Sequence, residues 1–363
     1  MRKTICKLGV LFIMVVGSTT AQIPPPDLIC VFNESDGADT IRWSLPAVNC
    51  GPIQGIDVYQ SSDPNGPFSL ITSVNNVAET EVVVTNTNNL TFYYYLEIDA
   101  DCPGEDAIHS DTLSNQIPPG VEIRRVSVEN GDVLVEWVDA SPQEPKIAGY
   151  VIYRVRTGTV PIDTLFGAID SFLDESANPA SRSEIYYVQA IDGCGISGPI
   201  GSNPHSTMVL EDSVGRCTQN LYFNWNSYDD WNTGVEYYEL FVSIDGSPFE
   251  SADTIPATNL KAELPVLQAN SNYRVYIRAK KQGEALYSRS NVLNIDPDIL
   301  QSVRILNLWG ASLENNSLDI RWNWNTDASF QTAELIRNPA GTRTSIDLSD
   351  YIDTPIMAIN QIV

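Results

Sequence analysis

Leu221-Tyr222-Phe223-Asn224-Trp225 reads as a short strand in which Leu221, Phe223 and Trp225 share one face. Three other stretches repeat the pattern: Thr40-Ile41-Arg42-Trp43-Ser44-Leu45, Val133-Leu134-Val135-Glu136-Trp137 and Leu318-Asp319-Ile320-Arg321-Trp322. Their tryptophans stand at 43, 137, 225 and 322, in steps of 94, 88 and 97 residues. A sheet motif that returns at domain-sized intervals indicates tandem all-β domains. The alternation places Trp43, Trp137, Trp225 and Trp322 inward, as core anchors rather than sugar-stacking platforms.

Further marks return with the tryptophan. Thirteen residues after it the chain reads Ile56-Asp57-Val58-Tyr59, Tyr150-Val151-Ile152-Tyr153 and Tyr238-Glu239-Leu240-Phe241, a second strand of period two. About fifty residues after it comes Tyr-x-aliphatic-x-apolar, at Tyr94, Tyr186 and Tyr273. Ser114-Asn115, Ser202-Asn203 and Ser290-Asn291 then follow in 88-residue steps, with proline soon after each. Asn130-Gly131, just before the second tryptophan strand, is a hairpin turn, because both residues tolerate positive φ. No segment sustains a 3.6-residue period, so each unit is about seven short strands in roughly ninety residues, a β-sandwich.

The chain has 363 residues, which suits three to four such domains. It opens with the cations Arg2, Lys3 and Lys7, an apolar run over 8–16 and small residues ending at Ala21, the pattern of a secretory signal peptide. That run is about half of the ~20 residues a membrane helix needs, and no second one exists, so no membrane span is expected in the mature chain. Removing residues 1–21 takes away three cations and no acids and moves the formal charge from −25 to −28. Such a surface repels nucleic acid and anionic headgroups.

These residues resemble fibronectin type III domains, which carry an inward Trp on the second strand and a Tyr-x-Val-x-Ala strand near the end. The family's tyrosine corner, a Leu six residues before that Tyr, is clearest at Leu267 and Tyr273; Asn88 and Ala180 stand at the Leu position ahead of Tyr94 and Tyr186. The resemblance implies tandem immunoglobulin-like sandwiches in an elongated array. Its modules are 22–117, 118–204 and 205–296, and an incomplete fourth over 297–363, which has the Trp322 strand but no Tyr-x-Val strand. The stretch from Ile191 through Cys194, Cys217 and Trp225 to Val235 looks like exported Bacteroidota proteins that carry a gliding-motility-associated C-terminal domain. No such terminal domain is present here.

Five cysteines remain once Cys6 leaves with the signal peptide: Cys30, Cys50, Cys102, Cys194 and Cys217. In an exported chain they are disulfide candidates, and one is left over. In the sandwich that the resemblance implies, Cys50 and Cys102 lie in loops at one pole, where Cys30 competes for the pairing. Cys194 with Cys217 is a second candidate, which would need a bent junction between modules.

No catalytic constellation is visible: there is no G-x-S-x-G, no H-E-x-x-H and no phosphate loop, and His109 and His205 stand alone. Asp229-Asp230 and Glu105-Asp106 are adjacent acids without the separation a glycosidase needs. No metal site, cofactor or catalytic residue is therefore expected. The expectation is a non-catalytic, exported, secreted or cell-surface protein, a monomeric rod whose modules act as spacers and interaction surfaces toward a protein or glycan partner, in adhesion or a gliding-associated role. The alternatives are a polysaccharide-binding accessory, with Trp231 or Trp309 as contacts, and the N-terminal part of a larger extracellular enzyme.

Overall fold

The structure is a computed structural model. It describes residues 23–34, 37–85, 90–104, 106–138, 146–201, 203–215, 218–265 and 271–297, and the backbone of five strands beyond. The signal peptide, Ser202, Cys217 and Leu267 lie outside the described residues, as do the side chains of Trp309 and Trp322.

The first copy contributes β1 (Asp27–Asn33), β2 (Ala38–Ser44), β3 (Ile53–Ser61), β4 (Ser69–Val74), β5 (Glu81–Thr85), β6 (Tyr93–Ala100) and β7 (Leu113–Ser114). The second has β8 (Ile123–Glu129), β9 (Asp132–Trp137), β10 (Ile147–Val155), β11 (Thr159–Phe166), β12 (Ser171–Asp174), β13 (Ile185–Asp192) and the short β14 (His205–Ser206). The third has β15 (Leu210–Gly215), β16 (Asn220–Trp225), β17 (Val235–Ile244), β18 (Glu250–Pro256), β19 (Lys261–Pro265), β20 (Tyr273–Lys281), β21 (Tyr287–Arg289) and β22 (Leu293–Ile295). Beyond them are β23 (Leu306–Glu314), β24 (Ser317–Trp324), β25 (Thr332–Arg337), β26 (Thr342–Asp347) and β27 (Met357–Ala358).

In the first copy the sheet orders are β1-β2-β5 and β4-β3-β6-β7, and in the third β15-β16-β19 and β18-β17-β20-β21, with β22 also on β20. The second copy has the corresponding orders β12-β9-β8 and β11-β10-β13. The chain is therefore all-β, a series of immunoglobulin-like sandwiches in which a three-stranded sheet accompanies a second one, larger in the first and third copies. In the last stretch the backbone gives β23-β24-β27 and β25-β26. Among the described residues no helix is long and apolar enough to cross a membrane.

Two compact units divide the chain: 1–123 with 137–171 and 186–204, and 124–136 with 172–185 and 205–363. The dividing line runs through the second copy. In the first unit Leu28, Ile41, Trp43, Ile56, Val58, Tyr94, Leu96 and Ile98 form one core. In the second, Leu221, Phe223, Trp225, Tyr238, Leu240, Tyr273, Val275 and Ile277 form another.

The tryptophans occupy the same place in each copy. Trp43, Trp137 and Trp225 are 1%, 1% and 5% exposed. Their backbone N–H groups donate to the carbonyls of Thr80, Asp170 and Leu260. Each indole N–H meets no protein acceptor, so packing alone holds the ring. Trp137 and Trp225 pack on Tyr150 and Tyr238, with ring centroids 5.3 and 5.5 Å apart. The Asn130-Gly131 turn has φ of 56° and 102° and joins β8 to β9. A β-bulge recurs sixteen residues after each tryptophan, at Val58/Tyr59, Ile152/Tyr153 and Leu240/Phe241.

The register corrects one equivalence drawn from the sequence. Ile56 and Tyr238 both follow their tryptophan by thirteen residues, and they pair with Ile98 and Ala279. Counting back, Tyr94 corresponds to Val275, and the place of Tyr273 is taken by Phe92. Both tyrosines are fully buried, but they sit two residues apart along the strand. The serine mark shifts too. Ser110 exchanges bonds with Leu96 (its N–H to the Leu96 carbonyl, its Oγ from the Leu96 N–H), as Ser290 does with Ile277, so Ser290 corresponds to Ser110 and not to Ser114.

Trp43→Ala or Trp225→Ala is expected to lower the unfolding free energy by about 3–5 kcal/mol, measured by urea denaturation. The Phe variants should lose less, because they also remove a buried donor that has no acceptor. A loss under about 1 kcal/mol for both Ala variants would place the rings outside the cores.

Candidate interaction surfaces

The larger sheet turns its outer face away from the core, and aromatic rings collect there at corresponding positions. In the first copy Tyr59 on β3 stacks on its cross-strand partner Tyr95 on β6, 4.8 Å between centroids and 17° between planes. Phe68 and His109 flank Tyr95 at 4.8 and 5.0 Å. In the third copy Phe241 stacks on Tyr276 at 4.9 Å and 4°, with Phe249 edge-on at 4.9 Å and the Arg289 guanidinium over the Tyr276 ring at 4.2 Å. Cross-strand aromatic pairs of this kind stabilise a sheet. Tyr59, Phe68 and Tyr95 are half-buried and His109 is exposed. Burial first, then the Glu97 carboxylate, pushes the Tyr95 phenol up. From sequence, Tyr59, Tyr95, Phe241 and Tyr276 read only as strand positions, His109 as an isolated histidine, and Phe68 and Phe249 carry no mark. The missed signal is the spacing, since 59, 68 and 95 return at 241, 249 and 276. In the second copy Tyr153 occupies the corresponding place, and its hydroxyl donates to Gln189 at 2.7 Å.

Another set of residues lies where segments of two copies meet within one unit. The outer edge of β1 faces the loop after β13 within the first unit. Cys30 is joined there to Cys194, with Cα atoms 5.9 Å apart. A Cβ on Gly193 would lie 2.8 Å from the Ile29 carbonyl oxygen, so only glycine permits this approach. Cys50 is joined to Cys102, with a Cα separation of 5.2 Å. The candidate pairing of Cys194 with Cys217 is thus replaced by one between the first and second copies. The cause is that the loop carrying Cys194 packs on β1.

Within the second unit, side chains of the third copy cap the outer edge of β8. Tyr228 accepts the Val126 N–H at 2.8 Å, Ser288 Oγ donates to the Val126 carbonyl at 2.6 Å, and Trp231 Nε1 donates to the Arg124 carbonyl at 2.7 Å. Arg289 pairs with Glu129 at 3.1 Å. Trp231 is 4% exposed and packs on Tyr228 at 4.3 Å, so it is not available to a glycan. Asp230 takes bonds from the N–H and hydroxyl of Ser206, and burial pushes its carboxyl up. Among the described residues, no group of three His, Cys, Asp or Glu side chains is arranged to hold a metal ion.

His205 is 1% exposed, with Nδ1 2.9 Å from the Tyr228 hydroxyl. Burial, then the Lys281 ammonium, pushes its imidazole down to about 4.

The fold defines the class, an array of immunoglobulin-like β-sandwiches. No family model and no curated protein matches the chain. A crystal structure of chicken CNTN1 FN1-FN3 domains is similar at 15% sequence identity, over 75% of this chain and 98% of that one, with a TM-score of 0.23. The class rests on the strand order above.

Two outcomes follow for the junctions. The depressed His205 adds stability that is complete above its ordinary value of 6.5 and is lost as pH falls toward about 4. Urea unfolding at pH 7 and pH 4.5 should show a pH-dependent loss that is about 2–3 kcal/mol smaller in His205→Gln than in the native chain. The elevated Asp230 acts in the opposite direction and is present in both proteins, so an equal loss would show that His205 is not buried. Non-reducing peptide mapping should recover Cys30 with Cys194 and Cys50 with Cys102; recovery of Cys194 with Cys217 would contradict the junction.

Proposed function

We propose that this chain is a non-catalytic, exported, secreted or cell-surface protein. Its sandwiches serve as spacer and interaction modules in adhesion or a gliding-associated surface role. The modules are 22–117, 118–204 and 205–296, with a further, partial one over 297–363. One observation carries the proposal: the first copy presents an aromatic cluster of half-buried Tyr59, Phe68 and Tyr95 on the outer face of its larger sheet, whereas in the third copy Tyr276 is buried beneath the Arg289 guanidinium. Outward aromatic clusters with a polar surround are the makings of protein interaction surfaces.

Export is supported by the basic and apolar start of the chain and by two disulfides, which persist in oxidising compartments. The absence of catalytic intent is supported by the use made of the two histidines. His205 is sealed against Tyr228, and His109 Nδ1 lies 2.8 Å from the Ser110 carbonyl oxygen beside Tyr95. Asp229 and Asp230, read as possible paired acids, each hold a neighbouring serine.

Fractionation of the source cells tests the proposal. The protein is expected at the surface or in the culture fluid, shortened by about 21 residues and with Cys30 and Cys50 oxidised, and surface attachment is expected to fall when the gene is deleted. A cytoplasmic, reduced, full-length protein would contradict it.

A further inference from the structure

The two aromatic faces differ most in charge at one cross-strand pair of residues. In the third copy Glu239 and Arg278 stand directly opposite each other on β17 and β20. Arg278 donates from Nη2 and Nε to Glu239 Oε2 at 2.6 and 3.0 Å. Its guanidinium lies over Phe241 at 4.6 Å and over Tyr287 at 4.2 Å. A carboxylate below, an aromatic ring on each side and a guanidinium between them make a filled cation site.

The corresponding pair in the first copy is Asp57 and Glu97, also directly opposite. Position 57 follows Trp43 by fourteen residues, as 239 follows Trp225. Of the two rings under Arg278, Phe241 has Tyr59 as its counterpart, and the place of Tyr287 is held by Ala107, counting back from Ser110 and Ser290; Tyr95 stands for Tyr276 beside the pair. The cation is not kept: two carboxylates face each other where the third copy has one carboxylate and one guanidinium. Like charges directly opposite destabilise a sheet. Among the described residues neither carboxylate has a cation. Asp57 accepts a hydrogen bond from the Ser73 hydroxyl, and after burial it is Glu97 and Asp57 that push the Tyr59 phenol up. Both carboxylates and both tyrosines are half-buried, so the face remains accessible.

We infer that the face formed by Asp57, Tyr59, Tyr95 and Glu97 receives an arginine side chain from a basic segment of a partner protein. The guanidinium takes the place that Arg278 fills within the third copy. Charge complementarity selects such a partner over a second copy of this chain, whose 46 acids outnumber its 21 Lys and Arg. Arginine is favoured over lysine because a planar guanidinium both bonds carboxylates through parallel donors and stacks on rings. This inference rests on the reading of the modules as interaction surfaces and names the partner's chemistry.

The test uses the full mature chain and a blocked peptide of alternating glycine and arginine, with its citrulline counterpart as the neutral control. The arginine peptide should bind at least tenfold more tightly than the citrulline peptide. Asp57→Asn and Glu97→Gln should each weaken it several-fold, and Asp163→Asn on the exposed β11 should leave it unchanged. Glu97→Arg rebuilds the pair of the third copy, so it should abolish peptide binding and raise the melting temperature. Equal binding of the two peptides, indifference to the Asp57 and Glu97 variants, a lower melting temperature in Glu97→Arg, or displacement of the peptide by Ca²⁺ but not by Na⁺ at matched ionic strength would each overturn it. The melting result needs no partner, so failure of this inference is separable from failure of the surface role, which is read by fractionation.

Discussion

Everything in this architecture depends on a tryptophan wedged into the core from the second strand of each of the first three sandwiches. The ring supplies the largest single apolar area in a small core. Its backbone N–H ties that strand to the segment leading into the next strand of the same sheet, at Thr80, Asp170 and Leu260. The indole N–H gains no acceptor at 43, 137 or 225. A buried donor without a partner is costly, and its presence three times over shows that the packing gain exceeds that cost. Once the ring is seated, period-two alternation assigns every other side chain of the strand to a face.

A sandwich leaves its first strand as an open edge, and an open edge invites wrong pairing. Here β1 is met by the loop of Gly193 and Cys194, with a disulfide. β8 is met by Tyr228, Trp231 and Ser288, which satisfy its free amide and carbonyl groups with side chains rather than with another strand. The edge strand β15 carries exposed Glu211, Asp212 and Ser213, the charged and polar residues that discourage pairing. Within each unit, segments of two copies are thus fastened by side-chain or disulfide contacts as well as by the chain that links them.

Much of the fold was legible because its signals are local. The four tryptophan strands, the strand thirteen residues on and the Asn130-Gly131 turn each rest on residues close in sequence. What was not legible depended on loop lengths and on register. Tyr-x-aliphatic-x-apolar fits a period-two strand equally well when shifted by two residues, so Tyr94 and Tyr273 look equivalent although the register separates them. Ser114 and Ser290 look equivalent because their spacing agrees, while the bonds to Leu96 and Ile277 pair Ser290 with Ser110. The partner of Cys194 was hidden for a related reason. It depends on which loop packs against β1, 164 residues away in sequence, and nothing near Cys194 encodes that. Trp231 was ambiguous because an aromatic in an acidic loop suits a contact surface and an edge cap alike; the neighbouring β8 decides.

Native-state hydrogen exchange at the backbone amides of Trp43, Trp137 and Trp225 tests the central claim most directly. These amides lie under the rings that seat each sandwich, so they are predicted to exchange only through global unfolding of their module and to be among the slowest in the chain. Exchange at those three sites as fast as at the exposed strand β11 would contradict the account.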